Sequence, residues 1–356
     1  MNRRHFLRAA AALAGACTAG TRAKADPPSE PTATKLPRWR GFNLVEKCYG
    51  EHQRPFAEAD FALLAEWGFD FVRLPLSYRC WSTPDDWKNL REPVLKEIDQ
   101  AVELGRTHHV HVCLNFHRAP GYCVNAPAEP FSLWQDEEAL RACAYQWGRF
   151  AERYRGISNT HLSFNLLNEP KKLPEETYVR VVRRLVEAIR EHDPKRLIIA
   201  DGLEWGRVPV HGLVDLKIAQ STRGYDPMTL THYKANWVGG ASRWPEPTWP
   251  QRDPDGRPWD KERLRQERIK PWKALEEKGV GVVVGEWGAF HHTPHAAVLA
   301  WMRDILELWK EAGWGWALWN LRHGFGVLDT SRRDVTYKSF RGHQLDEQML
   351  DLLRQG

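Results

Sequence analysis

SFNLLNEP, residues 163–170, begins as strand-like sequence from Ser163 to Leu167 and then stops on an amide, a carboxylate and a proline. Charged side chains are rarely fully buried unless they are paired or at work. An inner strand that ends at Asn168, Glu169 and Pro170 therefore needs a reason. VVVGEWG, residues 282–288, sets the same problem at Glu286. Two glutamates at the ends of two apolar strands suggest a working pair.

Strands and helices alternate outward from these two stretches. Candidate strands lie at 40–44, 69–76, 109–116, 161–169, 196–201, 228–233, 281–287 and 314–320. Several are near-continuously apolar, as parallel strands covered on both faces are. Amphipathic helices separate them. In 176–191, Tyr178, Val181, Val182, Leu185 and Ile189 share one face, and His192-Asp193-Pro194 ends the helix because proline cannot continue it. A second helix is expected over 296–311, with Val298, Trp301, Met302, Ile305 and Trp309 aligned. The pattern predicts an α/β fold, a single (β/α)8 TIM barrel. The rival, an open doubly wound sheet, favours a glycine-rich phosphate turn after an early strand, and the sequence has none. A barrel places chemistry at the C-terminal ends of its strands. Arg73, His117, Asn168, Glu169, His232, Tyr233 and Glu286 all fall at or just past the C-terminal half of a predicted strand.

The chain has 356 residues, 51 Lys and Arg, 46 Asp and Glu, and a formal charge of +5. Residues 1–25 read as a twin-arginine-type export signal: Arg3-Arg4, then Phe6-Leu7, an alanine-rich run, and a small-residue cleavage site at Ala23-Lys24-Ala25. The apolar run is far shorter than the ~20 residues of a spanning helix. The alternative of a lipoprotein signal on Cys17 meets a poor match in Ala14-Gly15-Ala16. Residues 1–25 carry five basic groups and no acid, so removing them brings the formal charge to zero. The basic balance belongs to the export segment and not to a nucleic-acid surface. Residues 26–37, rich in Pro and Thr, read as a flexible leader, and residues 38–356 as one catalytic barrel. Cys113 and Cys143 lie in apolar runs and read as buried. Cys80 and Cys123 follow successive strands, where a disulfide and two free thiols are both open. His291, His292 and His295 cluster without the carboxylates of a zinc site.

In a closed barrel the fourth and seventh strand ends face one another. Carboxylates so placed suit glycoside hydrolysis, one protonated toward the leaving oxygen and one ionised toward the anomeric carbon. Two unrelated strand-end salt bridges are the plainer alternative. The residues also carry a resemblance. From Gly41-Phe42-Asn43 to the last helix the chain resembles glycoside hydrolase family 5, in the clan whose barrels carry the acid/base on strand four and the nucleophile on strand seven. Asn168-Glu169-Pro170 is its most specific element. The resemblance implies that Glu169 is the general acid/base, that Glu286 is the nucleophile and that Asn168 binds the sugar 2-hydroxyl. It further implies that Arg73 in VRLPL holds the nucleophile, that His117 in NFHRAPG lines the site and that Trp319 in ALWN floors the subsite of the attacked sugar. The family spaces a histidine and a tyrosine by one residue after strand six. Here His232 and Tyr233 are adjacent, so both serve the site only if the strand is irregular there.

Eighteen tryptophans are far above ordinary usage. Trp67, Trp147, Trp301 and Trp309 sit in amphipathic helices and read as core. Trp81, Trp87, Trp134, Trp205, Trp237, Trp244, Trp249 and Trp287 follow strands, where flat faces suit pyranose rings. Trp205 and Trp319 are the leading candidates for sugar contact. The segment 234–260 is the longest excursion and is expected to shape a cleft. The expected function is a secreted, retaining hydrolase of β-linked polysaccharide, foremost a β-1,4-glucan. β-Mannan or β-1,3-glucan as substrate, and a non-catalytic sugar-binding barrel, are the alternatives. The enzyme is expected to act on polysaccharide or oligosaccharide as a periplasmic or extracellular monomer. No cofactor, metal, nucleic acid or membrane partner is expected after signal removal.

Overall fold

Alternation along eight parallel strands builds the molecule from the inside out. The computed structural model describes residues 30–50 and 53–356. The strands are β1 (Arg40–Asn43), β2 (Phe71–Ser77), β3 (His111–Ala119), β4 (Leu162–Asn165), β5 (Ile198–Asp201), β6 (Ala219–Gly224), β7 (Val282–Trp287) and β8 (Gly315–Leu318). Each pairs in parallel with its neighbours in sequence, and β8 pairs with β1, so the sheet closes. Helices cover it, among them Glu58–Glu66, Glu92–Thr107, Glu137–Arg153, Glu175–His192 and His295–Ala312. The expected (β/α)8 barrel is therefore the fold.

Two separate apolar cores follow from this geometry. The larger one lies between sheet and helices, where Trp147, Trp272, Trp301 and Trp316 are fully buried. The smaller fills the barrel floor with Phe71, Cys113, Ile199, Ala219, Val283 and Ala317. Side chains two residues further along these strands point the same way, and there the sequence turns polar: Arg73, Asn115, Asp201 and Ser221. An apolar floor thus carries a buried polar layer at the C-terminal side.

The sixth strand departs from the reading of the sequence. Residues 228–233 were expected there, but Met228–Thr231 is a short helical turn started at Pro227, and β6 is AQSTRG at 219–224. Its polarity hid it. Gln220 is buried and satisfied by both backbone groups of Val210, at 2.9 and 2.7 Å, while Ser221 and Arg223 face the barrel interior network.

Within the expected leader, residues 30–37 are not free of the barrel. From Glu30 onward the chain packs under the barrel. Ala33 carbonyl accepts from Gly281 N–H at 2.7 Å, and Glu30 accepts from Ser158 Oγ and Asn159 N–H at 2.9 Å each. A Cβ on Gly281 would stand 2.9 Å from the Ala33 oxygen, so glycine permits the approach. The expected export segment, residues 1–25, lies outside the described residues.

Trp39 closes the floor, its ring stacked on His111 at 3.7 Å and on Phe71 at 5.6 Å between centroids. Trp39→Ala should cost about 3–5 kcal/mol in equilibrium unfolding, the usual range for removing a buried Trp. A loss below ~1 kcal/mol would mean that the floor plug contributes little to stability.

Candidate active site

Two arginines organise the polar layer. Arg73 on β2 is buried and uses its whole guanidinium. Its Nε donates to Asn165 Oδ1 at 2.9 Å, one terminal nitrogen to Asn43 Oδ1 at 3.0 Å and Glu286 Oε1 at 2.6 Å, and the other to Asn168 Oδ1 at 2.8 Å. Arg223 on β6 donates from Nε to Glu169 Oε1 at 3.2 Å and from its terminal nitrogens to Ser221 Oγ at 2.9 Å, Asn168 Oδ1 at 3.0 Å and Asp201. It also stands 3.6 Å from Glu286 Oε1. One guanidinium therefore reaches both glutamates. The structure brings together the pair that the two strand ends suggested.

The two carboxyls differ in surroundings. Glu286 is 3% exposed and lies at a register shift of β7, where it faces Arg73, Arg223 and the Tyr225 hydroxyl at 3.3 Å. Glu169 sits four residues past the end of β4 in a left-handed backbone conformation, φ 51°. Such a conformation costs a residue with a side chain about 1–3 kcal/mol and persists where the surroundings over-determine it. Here Glu169 N–H donates to Asp201 Oδ2 at 2.9 Å, and its carbonyl accepts from the Tyr122 hydroxyl at 2.7 Å. Burial raises the Glu169 pKa above the ordinary carboxylate range; the nearby Glu286 charge adds to this and Arg223 opposes it. The arrangement keeps a proton on Glu169 while Glu286 is held between cations.

Asn168 shows how the network presents a donor. Two guanidiniums occupy its Oδ1, which fixes the amide, and its buried Nδ2 has no protein partner. A buried donor held without a partner suits a ligand hydroxyl. His117 Nδ1 lies 4.0 Å from Glu286 Oε1, and the ring stacks on Trp319 at 5.4 Å. Burial, with Arg73 and Arg223 nearby, pushes the His117 pKa well below its ordinary value, so the imidazole is neutral. Trp319 is half-buried and joined to Asn320 by a cis peptide bond. Trp205 is 39% exposed, and its N–H donates to the Pro170 carbonyl at 2.9 Å, which sets it beside Glu169.

Other expectations are corrected. Tyr225, not Tyr233, reaches Glu286; Tyr233 is buried with Lys234 over its ring. His232 takes Thr231 Oγ1 on Nδ1 and packs on Tyr225 at 5.1 Å, so it backs the tyrosine without meeting the carboxylates. Burial lowers its pKa to about 4. Trp81 and Trp287 are fully buried and line no cleft, whereas Trp237 is 55% exposed and sits against His232, Phe290 and Phe325. Cys80 and Cys123 are free thiols directed at the Lys47 and His117 carbonyls. Among the described residues no cluster of His, Cys, Asp or Glu is placed to hold a metal ion, and no helix is long and apolar enough to cross a membrane. Arg223 and Tyr225 escaped the sequence reading because β6 was misplaced, and Asp201, at the end of the fifth strand, was assigned no role without them. With β6 at 219–224, Arg223 and Tyr225 show the one-residue spacing sought after strand six, with arginine in the place of histidine.

The cellulase model of glycosyl hydrolase family 5 matches residues 26–324. The chain belongs to glycosyl hydrolase family 5. It is thus a hydrolase of O-glycosyl bonds. The family 5 chain is 25% identical to Endoglucanase C of Acetivibrio thermocellus over 80% of its own length and 90% of that protein. It superposes on a solved glycoside hydrolase with a TM-score of 0.85 and 40% identity, covering 89% of this chain and 99% of the other. It shares its fold with Thermotoga maritima Cel5A, solved with mannotriose, at a TM-score of 0.71 and 22% identity over 89% and 97% of the two chains.

The raised pKa of Glu169 carries a stability consequence. A carboxyl with an ordinary pKa of about 4.3 when unfolded and a higher one when folded favours the native state at low pH, and that contribution is lost as pH rises between the two values. Glu169→Gln removes the loss. Its melting temperature should match the parent near pH 4 and exceed it increasingly toward pH 8. A gain independent of pH would show that Glu169 is not held protonated.

Proposed function

We propose that the chain hydrolyses a β-1,4-linked glucan with retention of anomeric configuration. Glu286 attacks the anomeric carbon and forms a glycosyl ester. Glu169 gives its proton to the departing sugar oxygen as the glycosidic bond breaks. Glu169, now anionic, takes a proton from water, whose oxygen attacks the same carbon and releases Glu286. The observation that carries this reading is the unequal treatment of two carboxyls sharing Arg223: Arg73 and Tyr225 also serve Glu286, while burial beside that charge keeps Glu169 protonated. Environments that separate two pKa values assign acid and nucleophile.

Asn168 Nδ2 binds the sugar 2-hydroxyl beside the nucleophile, Trp319 floors the subsite, and Trp205 extends it past Glu169. Neutral His117 serves as a polar wall to that subsite. The endoglucanase relative supports a glucan substrate and internal cleavage. Residues 1–25 export the enzyme to the periplasm or beyond, where a polymer too large to enter the cell is met.

Glu286→Ala should lower turnover of soluble β-glucan by at least ~10³-fold. Glu169→Ala should lose polysaccharide hydrolysis but retain the first step on a dinitrophenyl β-cellobioside, whose leaving group needs no proton. Proton NMR of the earliest products should show the β-anomer. Equal loss on both substrates would remove the assigned role of Glu169, and an α-anomer would remove retention.

A further inference from the structure

Among the described residues, Arg223 is the cation in ion-pair range of both glutamates. The chain is built to admit it. A Cβ at Gly206 would lie 2.6 Å from Arg223 Cγ, and one at Gly285 would lie 2.7 Å from an Arg223 terminal nitrogen. Asp201, itself fully buried, pairs with the terminal nitrogen of Arg223 that also faces Glu286, and it accepts Glu169 N–H. An imidazole gains and loses its charge between about pH 5 and 8, whereas a guanidinium keeps its charge throughout.

We infer that Arg223 is a positioning residue whose permanent charge, shared by Glu169 and Glu286, sets the pH window of the reaction. This role rests on Glu169 as acid/base and Glu286 as nucleophile, as proposed above. Glu169 is faced by Arg223 from β6, Glu286 from β7, Asp201 from β5, Arg73 from β2, and the hydroxyls of Tyr122 and Tyr225. Of these, only the two arginines favour its anion. Without Arg223, three carboxyls share one guanidinium, and both glutamates hold protons to higher pH. The acidic limb of the rate profile requires Glu286 ionised and the basic limb requires Glu169 protonated, so both limbs move upward together.

The test is the pH dependence of kcat/KM, which reports the free enzyme, on an aryl β-cellobioside. Arg223→Gln should shift both limbs upward by about one pH unit or more, as loss of an opposite charge in contact does. Arg223→Lys should return them toward the parent. The double variant Arg223→Gln, Asp201→Asn should shift both limbs in the same direction by less, since Asp201 no longer opposes the anion. It also leaves no unpaired buried aspartate, so it carries the test if the single variant does not fold. Limbs that stay in place in the glutamine variants, whatever the fall in kcat, would overturn the inference, as would a lysine variant displaced as far as glutamine. Turnover surviving in Glu286→Ala would instead remove the underlying assignment. An unmoved profile beside an inactive Glu286→Ala would remove only the role of Arg223.

Discussion

Two guanidiniums and three carboxyls gathered at one end of a barrel, all but Glu169 buried, are the constraint on which the rest depends. Arg73 and Arg223 bring two positive charges; Glu286, Asp201 and Glu169 bring up to three negative ones. Buried charge is costly unless it is matched and hydrogen-bonded. The set is balanced when one carboxyl keeps a proton, and Glu169, most weakly served by donors, is where burial places it. Such a network is a poor source of stability and a demanding one to assemble, because every member must be satisfied at once. Asn43, Asn165 and Asn168 supply neutral acceptors to the arginines, so the charges are held without adding further ones.

The fold supplies what that network needs. Inward side chains recur every second residue, and the strands step from an apolar floor to a polar layer within about 7 Å of rise. The floor keeps water out from below, and the layer above is fixed by the strands themselves. Glu169 stands on left-handed backbone past the end of β4, and it is tied at both its N–H and its carbonyl. Rigidity of this kind lets charge development be met without rearrangement at the moment of reaction.

Much of this was legible in the sequence. Seven strands announced themselves by apolar runs, and the two glutamates stood out as acids at strand ends. Arg73, His117 and Asn168 were marked by their places at or just past the C-terminal half of a predicted strand, and Trp319 by the family resemblance. The sixth strand was invisible for a physical reason: AQSTRG turns polar atoms to both faces, and Gln220 is satisfied by backbone that no sequence pattern reveals. MTLTHY has the better strand composition, but Pro227 turns it into helix. That single exchange displaced His232 and Tyr233 into the site and hid Arg223 and Tyr225. Asp201 was read as a strand end, but its task depends on Arg223 and so could not be inferred alone. Burial decided the tryptophans, since Trp81 and Trp205 both follow strands and only packing separates them.

The charge count also says why the same residues can serve both halves of a double displacement. In the first half, Glu286 is anionic and Glu169 protonated, and two negative charges face two guanidiniums. Once Glu286 is esterified its charge is gone. Glu169 has then given up its proton, and with Asp201 two negative charges again face the same two guanidiniums. The proposed mechanism moves one negative charge from Glu286 to Glu169 and back, and never changes the total. Arg223, touching both ends of that exchange, need not move or titrate for it to occur. A histidine in its place would bring a third titrating group into the balance. An arginine makes the balance depend on the two glutamates, with Asp201 as its fixed counter-charge.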